Sequence, residues 1–155
     1  MAESDSATLL PEWRQAVKDF LAAGFKEGDI IPHAWLEQHF DMAPLDVDRP
    51  MLPADWSARQ FAWLRNIEAF RSELLERHQI LLSSVTGQGY RLVPPREQTA
   101  SAEDRFRREA RKSYRRAATV MRNIRLDELT EAERRENTDA IAKLSMLKGM
   151  YKAVE

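Results

Sequence analysis

Between Arg105 and Arg125 the chain carries nine basic side chains and one acidic one, net +8. An arginine's planar fork matches the oxygens of a phosphate, so a run of this kind is suited to gripping a polyanion. Arg107, Arg108, Arg111, Lys112, Arg115 and Arg122 stand beside an apolar stripe of Phe106, Ala110, Ser113, Ala117, Met121 and Ile124. A solvated face opposite an apolar stripe is the plainer reading, but mixed signs serve solubility better than one sign does. Nucleic acid and an acidic protein surface both fit such a helix.

Two further groups carry polar chemistry. Arg59, Arg65 and Asn66 are of the types that hydrogen-bond base edges, and solvated surface is their plainer reading. The stretch SSVTGQGYRLVPP, residues 83–95, sets two β-prone runs around a turn of Thr86, Gly87, Gln88 and Gly89. Glycines there let the main chain approach a phosphate backbone, and Arg91 supplies charge. The competing reading is a structural hairpin whose glycines only supply positive φ.

Catalysis is not expected. No phosphate-binding glycine loop ends in Lys-Ser/Thr, no His-Glu-x-x-His is present, and there is no serine elbow. His33, His39 and His78 are isolated, and the chain has no cysteine, so neither a metal nor another cofactor is expected. Lack of cysteine suits a reducing cytoplasm, and no apolar run approaches the ~18 residues of a membrane span. The start, MAESDSATLL, lacks the basic-then-apolar order of a signal peptide. The net charge of −1 hides an asymmetry: residues 1–58 hold 4 basic and 11 acidic side chains, whereas residues 99–155 hold 14 and 10.

These groups need elements to hold them. Residues 1–7 read as frayed, and a helix runs from Thr8 or Leu9 to Ala23 with Leu10, Trp13, Val17, Phe20 and Leu21 inward. Gly24 stops it. Asp29-Ile30-Ile31 can form a short strand, and Pro32 can open a helix with Trp35, Leu36 and Phe40 as its apolar side. Residues 41–56, with three prolines and four aspartates, read as a long acidic loop. Ser57 caps the next helix. Its inward side is Trp63, Leu64, Ile67, Phe70, Leu74 and Leu75, and Arg59, Arg65, Asn66, Ala69 and Glu73 face outward. Then come the hairpin, a polar linker over residues 96–102, and two helices, the second opened by a Thr130–Glu133 capping box and carrying Ala140, Ile141, Leu144, Leu147 and Tyr151 on one face.

The order helix, strand, helix, helix, strand, turn, strand over residues 8–94 resembles the winged-helix family. EGDIIPHAWLEQHF is similar to the strand-then-helix entry of GntR-type regulators, and TGQGYRLV looks like the wing of GntR-type and OmpR-type domains. The resemblance covers a little over half the chain. It implies a recognition helix from Ser57, with Arg59, Arg65 and Asn66 toward bases, and a wing in which Gly87, Gln88 and Arg91 meet the phosphates. The 41–56 segment departs from the family's short turn, and Asp46, Asp48 and Asp55 would repel phosphate.

The expected fold is α+β and mostly helical: a winged helix-turn-helix with a small antiparallel β-hairpin over residues 8–95, then a C-terminal two-helix hairpin over 96–155. The leading function is DNA binding, as a transcriptional or other DNA-transaction regulator. The alternative is a small adaptor or inhibitor of the phage or mobile-element accessory type, docking a protein through the acidic 41–56 loop. RNA binding through the arginine helix stands third, and the C-terminal helices can serve a homodimer.

Overall fold

The computed structural model describes residues 10–152. Residues 1–7, expected to be frayed, and Thr8 and Leu9, where the first helix is expected to begin, lie outside the described residues. The chain divides into two compact units, one ending at Gln98 and the other starting at Thr99. Among the described residues there are five α-helices and one three-stranded antiparallel sheet, a mostly helical α+β fold.

The first unit starts with α1, Glu12–Ala23, which buries Ala16, Val17 and Phe20 and ends at Gly24 in the left-handed region at φ 76°. Leu10 and Leu21, expected inward, are exposed, and Ala16 takes the inward place between Trp13 and Phe20. Strand β1, Ile30–Pro32, is an edge strand, where proline's missing N–H removes no ladder bond. Pro32 then caps α2, His33–His39, which buries Leu36.

Helix α3 runs Pro53–His78, with a proline in its first turn. Ser57 is therefore inside the helix rather than its cap: Pro53 has the φ that a first turn needs, and Ala54, Asp55 and Trp56 continue it. The inward side differs from the expected one. It is Asn66, Ile67, Phe70 and Leu74, whereas Leu64 and Leu75 are exposed. Trp63, Ile67, Phe70 and Leu74 follow at intervals of four, three and four, and Asn66 is flanked by that row. A non-glycine αL residue, Gln79 at φ 56°, turns the chain into the sheet.

Strands β2, Leu81–Val85, and β3, Gly89–Val93, form the hairpin, and the sheet order is β1-β3-β2. β3 pairs Tyr90 with Ile31 on one side and Leu92 with Leu82 on the other. The core between sheet and helices joins Phe20, Ile31, Leu36, Phe40, Phe70, Leu74 and Leu82. Its rings meet edge-on: Phe70 lies 5.9 Å from Phe20 and 5.6 Å from Phe40 between centroids.

Helix α4 spans Pro95–Arg122, so residues 96–102 are helix and not a linker. Pro95 opens it, neither Gly nor Pro interrupts it, and Gln98 Nε2 donates to the Gln79 carbonyl at 3.2 Å. Within the second unit a 3₁₀ turn at Leu126–Glu128 leads to α5, Glu131–Lys152. The expected capping box is formed: the Thr130 N–H donates to Glu133 Oε2 at 2.8 Å, and the Glu133 N–H donates to Thr130 Oγ1 at 3.3 Å. The Thr130 hydroxyl also donates to Glu133 Oε2, at 2.9 Å; the bonds from the Thr130 N–H and hydroxyl favour the charged carboxylate, so Glu133 ionises below its ordinary value. A depressed carboxyl stabilises the fold above its unfolded pKa and loses that contribution as pH falls through the folded one. Carboxyl NMR is expected to show Glu133 titrating below ordinary glutamates, and Thr130→Val, which removes the hydroxyl but keeps the backbone N–H, to move it part of the way back up.

No residue of α4 or α5 is buried. Among the described residues no helix is long and apolar enough to cross a membrane.

Candidate nucleic-acid interface

The three α3 residues expected to read bases do not share one exposed face. Asn66 is buried at 5% exposure, because it falls beside the Trp63–Ile67–Phe70 row rather than opposite it. The Arg59 side chain is only 11% exposed. Its Nη2 donates to the Ala43 carbonyl at 3.3 Å and lies 3.5 Å from Glu37, so it ties the acidic 41–56 segment and α2 to α3. Of the three residues, only Arg65 is exposed.

The turn between β2 and β3 is a tight one, Thr86 to Gln88, with Gln88 N–H donating to the Val85 carbonyl at 3.1 Å. Gly87 and Gln88 are exposed at its tip. Gly89 is buried, because β3 crosses close over Ile31 there. Arg91 donates from Nη1 to Glu97 Oε2 at 2.9 Å, and this bond holds the Glu97 carboxyl below its ordinary value. Arg91 therefore fastens the hairpin to the first turn of α4. Its guanidinium is engaged by a carboxylate, which a phosphate would have to displace.

The second unit gathers what the first does not. Arg107, Arg111, Arg115 and Arg122 lie 4, 4 and 7 residues apart along one face of α4, and across from them α5 brings Lys148 and Lys152. The six cations line a cleft of about 470 Å³, and among the described residues that line it there is no carboxylate. Tyr114 and Tyr151 are in the same cleft, their ring centroids 6.1 Å apart. Arg108 and Lys112, expected with this set, are exposed but off the cleft. Glu109, the one carboxylate of the 105–125 run, ionises below its ordinary value. Its bond from Arg105 Nε at 2.9 Å is the largest cause, and the charges of Arg105, Lys112 and Arg108 add to it. The α5 half of the cleft was missed in the sequence. Its signal is the spacing of Leu144, Lys148, Tyr151 and Lys152, which puts two amines and a phenol on one helical face.

The chain matches no protein-family model, no curated protein and no solved structure. Among the described residues there is no group of three or more His, Asp or Glu side chains placed to hold a metal. His33 packs edge-on against Trp63 and Tyr90, and His39 stacks on Trp35 with its Nδ1 2.7 Å from the Trp35 carbonyl.

Proposed function

We propose that the protein binds nucleic acid, and that the α4–α5 cleft is the element that grips its phosphates. The observation that carries this reading is the row of six cations that α4 and α5 bring to one cleft. Like charges four residues apart weaken a helix, and no residue of these two helices is buried to offset that. A bound polyanion removes the repulsion and releases counterions as it does so. The tyrosines add a second chemistry. Phenol rings among phosphate-binding cations are platforms for unpaired bases, so the preferred ligand is a nucleic acid with single-stranded character.

The finer fold reading belongs to the same proposal. The element order of the first unit and its β1-β3-β2 sheet support a winged-helix-type domain. Its wing offers Gly87 and Gln88 as the contacts left for DNA. On this reading the protein is a regulator of a DNA transaction, holding its ligand chiefly through the second unit.

The test is binding to labelled single-stranded and duplex DNA across a salt series. Arg111→Gln with Arg115→Gln and Lys148→Gln is expected to flatten the log–log salt slope by about 2.1 on a single strand, from ~0.7 per lost contact. A matched variant off the cleft, Arg105→Gln with Arg108→Gln and Lys112→Gln, keeps most of the slope. Equal slopes for the two variants would reduce the cleft to general charge. Absence of binding by the wild type at low salt would remove the proposal.

A further inference from the structure

The start of α3 and the segment leading into it expose apolar surface that the first unit has no use for. Val47 is 98% exposed, Leu52 68%, Phe61 71% and Leu64 57%. Phe61 and Leu64 are one turn apart on the outer face of α3, and Leu52 is the residue that caps it. Trp56, one turn after Leu52, is 46% exposed. Single exposed apolar residues are ordinary, but a run of large ones around one helix start marks a contact surface. Exposed Trp and Phe are also the side chains that carry the most energy when an interface closes over them.

Charge identifies the occupant. Residues 41–58 hold four aspartates and one arginine. That arginine, Arg49, is 3.9 Å from Asp46, and Arg59 is spent on Glu37 and the Ala43 carbonyl. Asp48 and Asp55 flank the apolar residues, and Glu68 continues the Phe61–Leu64 face one turn on, so that the rim stays acidic although Arg65 is exposed beside Leu64. Such a rim repels phosphate polymers and anionic lipid alike. It suits a cationic polypeptide with an apolar side.

We infer that the N-terminal part of α3, with the 45–56 segment, is a docking surface for a partner protein presenting a basic amphipathic helix. Phe61, Leu64 and Trp56 take its apolar side, and Asp48, Asp55 and Glu68 take its lysines or arginines. The surface belongs to the first unit and the phosphate-gripping cleft to the second, so this inference stands on its own observations.

The experiment uses the full chain and three labelled helical peptides followed by anisotropy: one of leucine and lysine patterned as an amphipathic helix, one with the leucines replaced by glutamine, and one with the lysines replaced by glutamate. The leucine–lysine peptide is expected to bind, and the other two at least tenfold more weakly. Phe61→Ser with Leu64→Ser, both surface changes that leave the core row intact, is expected to weaken it on the order of thirtyfold. Asp48→Asn with Asp55→Asn is expected to weaken it less and to flatten its salt dependence. Unchanged binding by the Phe61/Leu64 variant, or equal binding of all three peptides, overturns the inference. So does sedimentation showing self-association that the same variant abolishes, which would give the surface to a second copy. Binding to phosphatidylserine vesicles that the variant abolishes would give it to a membrane instead.

Discussion

Gly89→Ala is expected to disrupt the three-stranded sheet, whereas Gly87→Ala, two residues earlier in the turn that leads into β3, is expected to cost only about 1–2 kcal/mol. The two glycines do different work. Gly87 has φ +73° with open space where a Cβ would go. Gly89 has φ +149°, and its Cβ would drive into the Ile31 carbonyl oxygen, with the Ile31 carbonyl carbon at 2.9 Å and Pro32 Cα at 3.1 Å. Those atoms are backbone of the neighbouring strand, so no rotamer change relieves the clash; β1 must leave β3 or the hairpin must twist away. A forced φ costs about 1–3 kcal/mol, and overpacking at such a point about 1–3 more. A loss of roughly 2–6 kcal/mol is a large part of the 5–15 kcal/mol by which domains are stable. All four tryptophans lie between residues 13 and 63, so tryptophan fluorescence in urea reports the first unit alone. A midpoint for Gly89→Ala equal to that of Gly87→Ala would refute the close strand approach.

That contrast answers part of what the glycine-rich turn posed. One of its glycines is explained by strand packing, and Arg91 beside it by an ion pair with Glu97. The element order and the antiparallel hairpin were legible because turn residues and apolar periods punctuate them: Gly24, Pro32 and the Thr86–Gly89 turn fall where the elements change. Phase was less legible. In α3 the adjacent apolar pairs Trp63–Leu64 and Leu74–Leu75 allow two inward faces a residue apart, and only packing against Phe20 and Phe40 selects the one that buries Asn66 and exposes Leu64. Residues 96–102 read as a linker because they are polar, but polarity distinguishes a loop from a core, not from a solvated helix. The cationic cleft was half legible. The arginine row belongs to one helix and shows as a local run, whereas Lys148 and Lys152 join it only through the pairing of α4 with α5, which no local pattern encodes.

Phe70→Ala is expected to be the most damaging side-chain truncation in the first unit. Phe70 is fully buried and is the largest such side chain, with Phe20 and Phe40 meeting it edge-on from α1 and from the end of α2. Removing the ring takes away its burial and two aromatic contacts at once. It also leaves a cavity walled by residues of different elements, which cannot all close in. Truncations of this type cost about 3–5 kcal/mol, against about 0.5–1.5 for Ile67→Val on the neighbouring turn. Leu75→Ala, on the exposed side of the same helix, tests the phase itself: it is expected to stay within about 0.5 kcal/mol of wild type. The ordering Phe70→Ala far below Ile67→Val, with Leu75→Ala unchanged, is what the observed inward face requires. A Leu75→Ala penalty rivalling that of Phe70→Ala would mean that α3 turns its other side to the core, and with it that Phe61 and Leu64 are not the exposed residues on which the docking surface depends.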